Sequence, residues 1–177
     1  MDARAFLAGA PRRVLRSLTT LPRTRDLAEL GLAALALAVL VGPAGLWTGL
    51  LVWRPRPLGE VLALALPAFI APGLGEELPF RALLIPDRGE APRAGAAIAV
   101  STALFCLWHV VEAETFLPGA QRLFLRPDFL AWTVLLGLAC AALRRRSGSI
   151  WPPALLHWAA VVAWEGWLGG PGMDSLR

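Results

Sequence analysis

Lysine is missing from this sequence, and histidine and cysteine are almost so: all 17 basic residues are arginine, beside two histidines and two cysteines. Each scarcity excludes something. Cys106 and Cys140 both fall inside apolar stretches and show no CxxC spacing, so neither a cysteine zinc site nor a disulfide framework follows. They read as small buried hydrophobes. No HExxH occurs, which removes the zinc-protease helix signature. The chain has no internal repeat, no low-complexity tail and no polar stretch long enough for a separate soluble domain. The net charge of +4 and pI near 10.8, taken alone, would point to nucleic acid. However, the arginines cluster between apolar segments, and no aromatic-interleaved basic groove is present.

What is abundant is apolar: 56% of the 177 residues are hydrophobic, and mean hydropathy is +0.58. A soluble domain of this size keeps a polar skin and needs far less. Five stretches are long enough to cross a hydrocarbon core of roughly 30 Å. They cover residues 27–50, about 58–85, about 94–111, roughly 129–143, and a stretch from near Ser149 to Gly169. The first apolar run is too long for a signal peptide and lacks a small-x-small cleavage site. The second carries Pro67, Pro72 and Pro79, which predicts a kinked or broken helix. Residues 112–128 are semi-polar and interrupted by Pro118-Gly119, a segment suited to a lid or guide on the membrane face.

The expected fold is therefore all-α, a polytopic transmembrane bundle of about five spanning helices with a cytoplasmic N-terminus. The expected organisation is a basic cytoplasmic segment 1–26, a transmembrane domain 27–168 and a short tail 169–177. With that orientation eleven arginines lie at inside ends and five at outside ends, as the positive-inside rule requires. Five of the eight tryptophans, Trp47, Trp53, Trp151, Trp164 and Trp167, mark segment ends like an interfacial belt.

An ionisable side chain at bilayer depth costs about 2.5–3.5 kcal/mol, so the few present are informative. Glu76, Glu77 and Arg81 lie in the second span, His109 near the end of the third and His157 within the fifth. Glu77 and Arg81 are four apart and can pair on one helix face. Glu76, about 100° away around an α-helix, is left without a local cation and free to accept a proton. Phe105 and His109 are also four apart, so the ring can direct the imidazole. Trp108 and Trp158 adjoin the histidines and can shape a cavity. Any one such group is as readily a fold-specifying bridge or a satisfied core residue. Five on three spans, including every histidine in the chain, favour a site. Glu112 and Glu114 read as solvated interfacial residues, and Glu165, near the membrane edge, as a snorkelling or capping residue.

Glu76-Glu77-x-x-x-Arg81, then Phe105-x-x-x-His109, then His157 after Ser149-Ile150-Trp151-Pro152-Pro153, resembles the CPBP intramembrane endopeptidases. That family includes CAAX prenyl proteases of the Rce1 type and many bacterial proteins. The resemblance covers about residues 58–165 and implies a role for each position. Glu76 would be the general base that activates water, and His109 would help hold that water. Glu77 and Arg81 would brace the site, and His157 would help form the oxyanion hole. It implies no metal and no other cofactor. The partners implied are the lipid bilayer and a membrane-bound protein or peptide substrate, cut at a C-terminal processing or sorting signal. An all-arginine basic complement suits a bacterial inner (plasma) membrane. One departure stands out: the family often has Asn four residues after the last histidine, where this chain has Val161. Two other readings stay open on the same residues. One is a catalytically weak or inactive membrane partner or immunity protein. The other is a proton-linked carrier, against which the small size and lack of inverted repeats count.

An odd number of spans puts the two ends of the chain on opposite sides. Alkaline phosphatase fused after Arg177 in a bacterial host is expected to be active, and the same reporter fused after Arg25 inactive.

Overall fold

The computed structural model describes residues 3–91 and 93–172. Seven helices form in chain order: α1 Ala3–Thr19, α2 Thr24–Thr48, α3 Leu58–Leu83, α4 Gly95–Thr115, α5 Gln121–Phe124, α6 Pro127–Ser147 and α7 Trp151–Trp167. A 3₁₀ turn at Pro118–Ala120 precedes α5. No strand occurs among the described residues. The connections that follow α2 and α6 each begin with a left-handed glycine, Gly49 (φ 69°) and Gly148 (φ 73°).

Four helices, α2, α3, α4 and α6, are long and apolar enough to cross a membrane. α7 has 17 residues, the short end of what a span requires, and packs against α3, α6 and α2. The protein is a multi-pass helical bundle. Its outer surface is apolar in the way lipid contact demands: Leu32, Leu35, Val39 and Leu40 of α2, Leu62 and Leu66 of α3, and Val100 and Leu107 of α4 are all exposed.

The prolines of the second span set its winding. α3 is α-helical over Leu58–Ala68 and then π-wound over Phe69–Glu76 and again over Leu78–Leu83. Pro72 and Pro79 each lack the N–H of an α-helical bond, and their rings crowd the carbonyl four residues back. Widening to π turns relieves that clash without breaking the helix. The sequence predicts a kink or break here, and the chain changes its winding without breaking. One carbonyl in this stretch, that of Phe80, accepts a hydrogen bond from the Ser101 hydroxyl of α4 at 2.6 Å. Gly73 lets α7 approach closely, since a Cβ there would lie 3.2 Å from that of Trp158. The Trp158 indole N–H donates to the Ala65 carbonyl at 2.7 Å, which fastens α7 to α3.

Helix boundaries differ from the sequence reading mainly by extension. α4 continues to Thr115 and so carries Glu112 and Glu114 on its last turn. α6 runs to Ser147, which brings the arginine triplet inside the helix. Leu117, Ala120 and Phe124 are buried against Phe129 of α6 and Leu50.

The two ends of the bundle are closed differently. At the end where α2, α4 and α7 finish, Val52, Arg54 and Arg56 donate backbone N–H bonds to Leu168, Trp167 and Gly166. At the opposite end, α1 packs on the last turns of α3, and arginines gather the connection between α3 and α4. Arg13 is buried and pairs with Glu90 at 3.0 Å while its Nε–H donates to the Leu83 carbonyl. Arg144, fully buried, pairs with Asp87 at 2.9 Å. Arg145 donates to the Pro86 and Ala91 carbonyls, and Arg146 binds Glu29 of α2 with two bonds, 2.6 and 2.7 Å. Residues 3–19, within the stretch read from sequence as a basic segment, thus form a packed helix.

Asp87→Ala leaves the buried Arg144 guanidinium without its counter-ion. The expected loss is about 3–5 kcal/mol, the usual result of breaking one side of a buried pair. Arg16, exposed and 3.7 Å from Asp87, is the contrast: Arg16→Ala is expected to cost under about 1 kcal/mol. Thermal unfolding of both variants in detergent micelles measures the difference.

Candidate active site

The ionisable residues of α3, α4 and α7 converge on Glu77. Its side chain is fully buried, with Oε1 3.0 Å from His157 Nδ1 and Oε2 3.3 Å from Arg81 Nε. A carboxylate in that position accepts from the Nδ1–H of His157, which turns Nε2 toward Glu76, whose Oε2 lies 4.0 Å away. The two adjacent glutamates point in different directions from the helix. Glu77 faces the helix interior of the bundle, and Glu76 faces a cavity.

Phe105 of α4 organises the surroundings. Its ring has no solvent exposure and meets both imidazoles edge-on, at 4.8 Å from His109 and 5.5 Å from His157. The Arg81 guanidinium carbon sits 4.1 Å from the centre of the same ring. Beyond the Glu77 ion pair the guanidinium nitrogens make no hydrogen bond to the described residues, so the aromatic face and Glu77 together hold this cation. His109 is fixed separately: its Nδ1–H donates to the Phe105 carbonyl at 2.9 Å, leaving Nε2 as an acceptor. Gly137 of α6 backs the cluster. A Cβ there would lie 3.1 to 3.4 Å from Thr102, Phe105 and Arg81.

Glu76, His109 and His157 line one cavity of about 570 Å³, together with Trp108, Phe124, Phe129, Val161 and Trp164. A second cavity of about 600 Å³, lined by apolar residues of α2, α6 and α7, reaches the same two histidines from the other side. Among the described residues no three His, Cys, Asp or Glu side chains are grouped to hold a metal ion.

The sequence reading missed two residues of this cavity and left a third undecided. Glu112 is half-buried and lines it, rather than standing in solvent, while Glu114 is exposed as expected. Glu165 is 9% exposed and lines it too, making neither a cap nor an ion pair. The signal was helical spacing, since Glu112 is one turn beyond His109 and Glu165 two turns beyond His157. Val161, in the place where a polar residue was looked for, borders both cavities. The Trp158 indole is committed to Ala65 and cannot serve there. The Trp108 indole N–H is buried without a hydrogen bond to the described residues and lies beside the Glu76 and Glu112 carboxylates.

A sequence model of the type II CAAX prenyl endopeptidases, Rce1-like, matches residues 57–163. The chain belongs to this family. Its matched region starts one residue before α3 and stops within α7, so it contains every residue of the Glu77 cluster and leaves out α1 and α2. The family is one of proteases, which makes hydrolysis of a peptide bond the activity class to be tested on this geometry. No curated protein and no solved structure was found to match the chain.

Gly137→Leu tests whether the close approach of α6 matters. The added side chain has to displace Phe105 or Arg81, so the expected cost is about 1–3 kcal/mol. Unfolding temperature in micelles, read beside Gly137→Ala, checks it, with the larger residue expected to do more damage.

Proposed function

We propose that the protein is a glutamic-type intramembrane endopeptidase that hydrolyses a peptide bond of a membrane-associated protein or peptide. The observation that carries this reading is the meeting of Glu76, His109 and His157, from three spans, on a single cavity wall. Glu76 is the general base. It takes a proton from a water that also donates to His109 Nε2, and the resulting hydroxide attacks the carbonyl carbon of the substrate. The carbonyl oxygen becomes an oxyanion, to which the protonated Nε2–H of His157 donates. Glu77 orients His157 through Nδ1, and Arg81 balances Glu77. As the tetrahedral intermediate collapses, the C–N bond breaks and the proton held by Glu76 passes to the leaving amine, giving a carboxylic acid and an amine.

A second oxyanion donor is worth about 10²–10³ in rate. Val161 has none to give, and the unengaged Trp108 N–H on the cavity wall takes that role in this scheme. The apolar cavity on the far side of the histidines supplies a route by which a substrate segment reaches them from the bilayer. A C-terminal processing or sorting signal on a protein of a bacterial inner membrane is the substrate class this arrangement suits. Val161 favours one other reading, a membrane partner on the same scaffold that no longer cleaves.

The decisive variant is Glu76→Gln in proteoliposomes with a membrane-anchored reporter peptide. Cleavage is expected to fall by at least about 10³-fold, with the unfolding temperature little changed. Retained cleavage eliminates Glu76 as the base. Loss of wild-type cleavage on chelation, restored by added zinc, replaces the scheme with a metal-dependent one. A partner that binds without cutting keeps its cellular effect in the Glu76→Gln strain.

A further inference from the structure

The polar cavity holds more carboxyl groups than hydrolysis uses. Besides Glu76, it is lined by Glu112 and Glu165, and no arginine is among its lining residues. Glu165 is 9% exposed and makes no hydrogen bond or ion pair among the described residues. The cation that acts on it, Arg56, is turned elsewhere, its Nη2 donating to the Gly170 carbonyl at 3.1 Å. Glu112, on α4, acts electrostatically on Glu76 of α3 across the cavity. Carboxylates enclosed in this way are costly unless a counter-charge arrives. The two lie on separate helices, and no grouping of three donors is present to hold a metal ion.

We propose that Glu112 and Glu165 form a cation subsite in this cavity, which takes a lysine or arginine side chain of the bound peptide. Eight residues of α7 separate His157 from Glu165, about 12 Å along the helix axis. An extended peptide covers that distance in about four residues. The basic residue therefore lies within about four positions of the bond facing His157. This subsite rests on the proposed function only in that the cavity receives a peptide.

Twelve fluorescein-labelled peptides with a lauroyl anchor, identical but for one Lys, Gln or Glu at one of four positions, provide the probe. Binding to the full chain in nanodiscs is read by fluorescence anisotropy. The Lys peptide is expected to bind roughly tenfold tighter than the Gln peptide at one position or more, and the Glu peptide most weakly. Glu165→Gln and Glu112→Gln are each expected to collapse the Lys-to-Gln ratio, while Glu114→Gln, exposed on the same turn as Glu112, leaves it intact. Equal binding of Lys and Gln peptides at all four positions overturns the subsite, as does a ratio that neither Glu165→Gln nor Glu112→Gln moves. Hydrolysis of the same peptides is scored separately. A lysine preference in binding without wild-type cleavage removes the protease and leaves the subsite. Cleavage without lysine preference does the reverse.

Discussion

The buried Glu77 carboxylate is the constraint on which the centre of this bundle depends. It is shared between Arg81, on its own helix, and His157, on α7. Removing either partner leaves a charge in an interior that can neither solvate it nor let it escape to water. The pairing also couples elements far apart in sequence, since Glu77 and His157 are 80 residues apart. Phe105 extends the coupling to α4, because the same ring faces Arg81 and both imidazoles. Three spans are thereby held in one relative register by a few polar contacts and one ring. Apolar packing alone specifies register weakly where lipid tails are as apolar as the side chains.

Much of this arrangement can be read in advance because it follows helical spacing. Glu77 and Arg81, and Phe105 and His109, are each four apart, and both pairs touch. The spans are legible for the same reason that any long apolar run is, the fixed thickness of the hydrocarbon core. What escapes notice lies where two causes compete. Glu112 and Glu165 sit near helix ends, where a carboxylate ordinarily finds water, and only tertiary packing of α5 and residues 50–56 encloses them. Prolines at 67, 72 and 79 announce a disturbance, but local sequence does not distinguish a break from a change of winding. Arg144 belongs to a triplet that looks like a topology signal, yet its side chain is buried while that of Arg146 stays partly exposed.

The two ends of the bundle divide the work of stability and chemistry. The end near α1 is a lattice of arginine contacts to carboxylates and carbonyls, fixing the 84–94 connection between α3 and α4. It lies on the side of Arg81 away from Glu76, so it steadies the helix that carries the glutamates without entering their cavity. The other end is held by backbone bonds from residues 52–56 and by aromatic packing around Phe124 and Phe129, stacked at 4.7 Å. Acidic side chains are left to face the cavity there, and that imbalance of charge is a property of the enclosed space rather than of the surface.

The π winding of α3 has a bearing on which insertions and deletions the chain tolerates. A π turn houses an extra residue relative to an α turn, so Phe69–Glu76 acts as a phase-setter for everything downstream. Deleting one residue there would let ordinary α winding return, and the following face would rotate by about 100°. Glu77 and Arg81 would then swing out of the interior although every one of their neighbours in sequence remained. Length, more than composition, is what this stretch must conserve.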